Sequence, residues 1–150
     1  MGVVQYAVLS DVHFPLEGKA YYKAIEQIRK WPDLKHIYLN GDIAEFESVS
    51  SHPKTPGAQR LLLTELEYVN RKLDQLQNIF KNIPVDLVEG NHTGRIFRYI
   101  RDVAPEMWGL IHAPKLLKFE DRPLWTFTPY GPTQWVKIGK TRDLYCRHEP

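Results

Sequence analysis

The chain is short of cysteine: Cys146 is its only one. That excludes an intramolecular disulfide and a zinc site built from several thiolates, and it suits a reducing compartment. Long apolar runs are missing too, since none approaches the ~20 residues that span a bilayer. Near the N-terminus no basic segment leads into a secretory apolar stretch, because Tyr6 to Leu9 opens directly onto Asp11. A cytoplasmic protein without a membrane anchor is the expectation. Charge of one sign is also lacking. Twenty Lys and Arg against 18 Asp and Glu leave a formal +2, so bulk charge selects no polyanionic partner. Neither internal repeats nor low-complexity tracts occur. What remains is an ordinary globular composition, 43% hydrophobic and 25% charged over 150 residues, which suits one domain with one core.

The pattern of elements is legible. A first strand is expected over about Val3–Leu9, a helix over Lys19–Trp31 with Ala20, Ala24, Ile25 and Ile28 as its apolar face, and a stop at Pro32-Asp33. A second strand follows at His36–Leu39, then a loop from Phe46 to Gly57 rich in Ser and Pro. A long helix is expected from about Ala58 to Lys81. Its seam is Leu62, Leu66, Val69, Leu73, Leu76 and Phe80, spaced alternately four and three. After a third strand at Val85–Val88, Arg95–Val103 reads as helix and Pro105–Ile111 as a short helical turn. Strand–helix alternation predicts parallel pairing with helical crossovers. Beyond Ala113, Pro114, Pro123, Pro129 and Pro132 alternate with Trp125, Phe127, Trp135, Val136 and Ile138, which predicts short strands of a second sheet. Leu144-Tyr145-Cys146 reads as one more strand, ending in Arg147-His148.

Three phrases follow the three strands: Ser10-Asp11-Val12-His13, Asn40-Gly41-Asp42 and Glu89-Gly90-Asn91-His92. In open α/β sheets, ligands bind at the carboxyl ends of strands. Asp11 and His13 are one residue apart, so an extended segment would turn both side chains to one face and one ion. Asp42 offers a carboxylate able to bridge two ions, Asn91 a neutral oxygen, and His148 a further imidazole. Imidazole mixed with oxygen suits manganese, iron or zinc better than calcium. Two such cations can polarise a phosphoryl group and hold a hydroxide for in-line attack. His92 is placed to donate a proton to the leaving oxygen without itself binding metal.

Asp-x-His, Gly-Asp and Gly-Asn-His, in that order and each after a hydrophobic strand, resemble the first three motifs of the calcineurin-like metallophosphoesterases. The resemblance runs from Val3 to about Arg95, with His148 in the place of a fourth motif. It implies an α/β layered fold, with two β-sheets flanked by helices. It implies two divalent metal ions, manganese first and iron or zinc as alternatives. It implies hydrolysis of a phosphate mono- or diester. Carried over residue by residue, Asp11 and His13 would hold one metal, Asp42 would bridge both, Asn91 would hold the other, His148 would add a ligand, and His92 would act at the leaving group.

Departures from the family pattern are equally specific. Thr93 stands where a carboxylate usually orients the catalytic histidine, so support for His92 must come from elsewhere. Glu149 follows His148 where the family has glycine. Nothing corresponds to the closing Gly-His-x-His segment, so residues 1–150 are expected to cover part of such a domain, incomplete at its C-terminal end. An incomplete metal shell would suit a non-catalytic binding or scaffold module of the same fold. Arg95, Arg98 and Arg101 recur every third residue, and with the basic residues late in the chain they leave a nucleic-acid-binding domain as a third reading. Arg95 is the candidate for a substrate phosphate, against the alternative of an ordinary arginine at a helix start. The substrate stays open among phosphoesters, nucleotides and nucleic acid. Among the other histidines, His36 reads as a strand-edge residue, His52 as a solvated loop residue and His112 as structural.

Overall fold

The structure is a computed structural model that describes residues 4–51, 61–131 and 136–138, and the backbone of 145 and 146. Four strands form a parallel sheet in the order β1 (Gln5–Ser10), β2 (Leu34–Gly41), β3 (Val85–Glu89) and β4 (Trp125–Thr128). Helices α1 (Lys19–Ile28) and α2 (Leu62–Ile79) make the first two crossovers. Helices α3 (Arg95–Val103) and α4 (Ala113–Leu116) share the third. The chain is therefore α/β, as its alternating pattern requires.

Inner and outer strands are read from their burial. On β2, Ile37, Tyr38 and Leu39 are consecutive and all buried, because this strand has neighbours on both sides and cover on both faces. On β1, an edge strand, Ala7 is buried while Val8 is 43% exposed. One face of the sheet, carrying Ala7, Ile37, Leu39, Val85, Leu87 and Trp125, joins one cluster with the apolar sides of all four helices. The other face is thinner: Tyr38 and Val88 meet Ile138, with Tyr6 and Val136 beside them. That cover comes from a two-stranded antiparallel ladder, β5 (Val136–Lys137) with β6 (Tyr145–Cys146). The Tyr38 hydroxyl donates to the Lys137 carbonyl at 3.2 Å and ties the ladder to the sheet.

The α2 seam behaves as its spacing requires. Val69, Leu73, Leu76 and Phe80 are buried, and Leu66 and Leu62 pack partly against them. Each fully buried side chain of this size contributes ~1.5–3 kcal/mol of burial. Two polar residues share the buried side. The Glu65 carboxylate accepts from the amides of Glu47 and Ser48, both at 3.1 Å, and from the Ser48 hydroxyl. Asn70 donates to the Leu116 carbonyl at 2.9 Å. These bonds fasten the one-turn 3-10 helix at Glu47–Val49, and α4, onto the helix layer. The fully buried Arg122 donates to the carbonyls of Lys118 (2.7 Å) and Asn70 (3.4 Å) and to the Asp74 carboxylate, with its guanidinium over the Trp125 ring.

Two sequence expectations need correction. Trp125 and Phe127 do not belong to a second sheet. They lie on β4, which extends the main parallel sheet, because the third crossover is long enough to return the chain to the edge of β3. Asp11 to His13 are not extended. Strand β1 stops at Ser10, and Asp11 and His13 both adopt left-handed backbone, with φ of 52° and 54°. Alternation along a strand therefore does not aim these two side chains.

Candidate metal centre

The loops after β1 and β2 run on together past the sheet. His13 N donates to the Asp42 carbonyl (2.8 Å), Phe14 N to the Ile43 carbonyl (2.8 Å), and Glu45 N to the Phe14 carbonyl (2.9 Å). Gly41, at φ 94°, makes the turn out of β2 that begins this stretch. The pairing sets His13 beside Glu45, although neither is in regular structure.

The third loop closes on the second. At Gly90 an added Cβ would lie 2.1 Å from Asp42 Oδ1 and 2.6 Å from the Asp42 amide nitrogen, so only glycine lets the two strand ends approach this closely. The buried Asp42 carboxylate accepts from the backbone amides of His92 (2.6 Å) and Thr93 (3.4 Å). Thr93, fully buried, accepts from the Ala44 amide at 3.2 Å. Thr93 therefore fixes the loop after Asp42.

Glu45 supplies the carboxylate that His92 requires, and sequence reasoning did not single it out. Its Oε2 lies 2.7 Å from His13 Nδ1 and 2.9 Å from His92 Nδ1, and its Oε1 lies 2.6 Å from Arg95 Nη1. Burial would push the Glu45 carboxyl up. The hydrogen bonds from Arg95, His13 and His92, with the charge of His92, outweigh that and hold it below its ordinary value. An ionised carboxylate only accepts, so both imidazoles donate from Nδ1. Arg95 Nη2 lies 3.2 Å from His92 Nε2, and an arginine only donates. His92 thus turns Nδ1 to Glu45 and Nε2 to Arg95. A histidine whose other nitrogen is held by a carboxylate is the usual oriented metal ligand.

The ligating atoms of His13, Asp42 and His92 all lie within 4.8 Å of one another, and among the described residues this is the one such group. Bonds of ~2.0–2.2 Å need donors roughly 3–4 Å apart, so small side-chain rotations would seat an ion. The donor set is imidazole and carboxylate, the mixture that suits manganese, iron or zinc. Asp11 is not in the group. It is exposed, and its Oδ1 lies 3.5 Å from the Asp42 amide nitrogen, at the rim of the same site. Asn91 lines a cleft beside His92, and its carbonyl accepts from Arg98 Nη2 at 2.5 Å. Arg95 is half-buried and bound to the Glu45 side chain, the Glu45 carbonyl and His92. His148 and His52 lie outside the described residues. His36 pairs with Asp86 at 3.1 Å and stacks on Tyr38, away from this site, and His112 caps α4.

Behind the centre, burial pushes the Glu89 carboxyl up to about 7. The Tyr130 amide and the charge of Arg98 pull it down, and the charge of Asp42 adds to the rise.

No protein-family model matches the chain, and no curated protein or solved structure matches it significantly. No helix among the described residues is long and apolar enough to cross a membrane.

Proposed function

We propose that the chain is a metal-dependent phosphoesterase of the calcineurin-like kind, acting on phosphate mono- or diesters at a centre built from the loops after β1, β2 and β3. The observation that carries the reading is Glu45, which orients His13 and His92 together within reach of Asp42, whose Oδ2 lies 4.0 Å from His92 Nε2. Divalent ions at such a centre supply polarisation of the phosphoryl group and activation of water. In this reading His13 and Asp42 hold the ion from two different loops, while Asp11 and Asn91 stand at the rim to complete a second position. Once Arg95 turns from His92 Nε2 to the phosphate, that nitrogen would take up a proton from solvent and pass it to the leaving oxygen, with Glu45 holding Nδ1–H. The Asp42 charge, clamped by two backbone amides, keeps the centre rigid. Manganese is the first candidate, with iron or zinc as alternatives.

A second reading is a metal-binding module without turnover. It is favoured by the position of Asp11 outside the tight group, which leaves one compact ion position instead of two. One experiment separates them. The purified chain is titrated with Mn²⁺ and assayed on p-nitrophenyl phosphate and bis(p-nitrophenyl) phosphate, alongside Asp42→Asn. Mn²⁺-dependent hydrolysis lost in Asp42→Asn is expected. Mn²⁺ binding without hydrolysis selects the module, and no Mn²⁺ binding refutes both.

A further inference from the structure

Beside the candidate centre lies a cleft of about 440 Å³, between α3 and the turn at residues 49–51. Its size is that of a small-molecule site. We propose that this cleft is the subsite for a nucleoside, the leaving group of a nucleotide whose phosphate sits at His92. The inference rests on the phosphoesterase reading for the phosphate end alone.

The argument starts from α3. Its buried stripe is narrow, Ile96 and Ile100, so the helix turns other residues to the cleft. Arg95, Arg98, Tyr99, Asp102 and Val103 recur three and four apart on that side. They are graded in chemistry along the helix. Arg95 and Arg98 lie at the end next to His92 and Asn91, where an anion would be met. Tyr99 follows, 43% exposed, offering a ring face and a hydroxyl. Val103 closes the far end with an aliphatic side chain, next to Asp102, whose two oxygens are paired with Arg101 at 2.7 and 3.3 Å. Ser50 and Ser51 line the opposite wall with hydroxyls, next to Val49.

An alkyl group would leave the serines without use, and an inorganic anion would leave Tyr99 and both valines without use. A planar heterocycle on a hydroxylated sugar uses all of them. The ring stacks on Tyr99 beside Val103, and the sugar hydroxyls reach the serines. The wall is pre-formed, since Glu65 holds the amides of Glu47 and Ser48 just before it. Tyr99 is not one of the candidate ligands, so changing it removes none of them.

The test is a comparison of adenosine 5′-monophosphate with ribose 5-phosphate, which carries the same phosphate and lacks the base. Dissociation constants are measured by calorimetry, in EDTA and again with Mn²⁺, for the wild type, Tyr99→Ala and Tyr99→Phe. The nucleotide is expected to bind at least about tenfold tighter than ribose 5-phosphate, the scale of one base stacked on one aromatic ring. Tyr99→Ala should remove most of that preference, and Tyr99→Phe should keep it. Equal affinity for the two ligands in both conditions overturns the subsite, as does a preference untouched by Tyr99→Ala. Aryl phosphate hydrolysis together with equal affinities leaves the phosphoesterase reading standing and the subsite refuted. Nucleotide-selective binding without hydrolysis of any ester sustains the subsite and refutes the phosphoesterase reading.

Discussion

Glu45 reaches His92 Nδ1 at 2.9 Å across 47 residues of chain, and the same oxygen holds His13. Replacing it with glutamine keeps the size but removes the charge and one acceptor, so the two Nδ1–H groups and Arg95 no longer share a carboxylate. Glu45→Gln is expected to weaken Mn²⁺ binding by roughly 10–100-fold, the usual cost of losing a group that orients a metal ligand. Calorimetry gives the affinity, and thermal melting checks that the fold persists. Wild-type affinity in a folded variant would show that Glu45 has no part in the centre.

His92 serves chemistry more than metal in the proposed reading. His92→Ala should keep its metal and lose turnover by about 10²–10⁴-fold on esters with poor leaving groups. The loss should be smaller for nitrophenolate, which leaves without a proton. Metal analysis and paired kinetics check both halves. Loss of the metal would make His92 the third ligand of the His13–Asp42 group instead.

Gly90→Ala places a methyl where Asp42 Oδ1 and the Asp42 amide already stand. The strand ends must separate, costing ~1–3 kcal/mol by overpacking. A lowered melting temperature together with lost Mn²⁺ binding is expected. A variant with native stability and native affinity would contradict the close approach of the second and third loops.

Acid should loosen the end of the first loop, where it leads into α1. Burial raises the Glu17 carboxyl, but hydrogen bonds from Tyr22, Tyr68 and Lys72 outweigh it and leave it below its ordinary 4.5. A carboxyl depressed in the folded state contributes stability above its unfolded value and loses it as pH falls through the folded one. The contribution is therefore complete above about pH 4.5 and disappears in the range beneath it. Glu17→Gln should flatten that part of the stability–pH curve, read by denaturant unfolding at stepped pH. An unchanged slope would mean that the Tyr22–Tyr68–Lys72 cluster carries no linkage.

The order of elements was legible because it rests on local pattern. The α3 limits, Arg95–Val103, agree with the structure to the residue, and the α2 seam is buried along its later half. The three loop phrases were legible for the same reason, since each directly follows an apolar run. The partner of His92 was not. The family pattern puts a carboxylate next to His92 in sequence, where Thr93 stands, and here it comes from the third residue after Asp42 instead. Only an acidic residue so soon after Gly41-Asp42 could have signalled it. The sheet that takes Trp125 and Phe127 was not legible either, because alternation marks a strand without naming its neighbour.

The sequence by itself determined the parallel α/β layout and the gathering of Asp11, His13, Asp42, Asn91 and His92 at one edge of the sheet. Side-chain period and strand–helix alternation are local properties, and parallel crossovers bring strand ends to the same side. Tertiary structure alone decided how those residues are aimed. Left-handed backbone at Asp11 and His13 breaks the period of the strand, and Gly90 lets two loops touch. The Glu45 carboxylate then gathers His13 with His92 and Arg95, from segments far apart in the chain. Such contacts follow from through-space hydrogen bonding and charge, for which sequence spacing carries no signal.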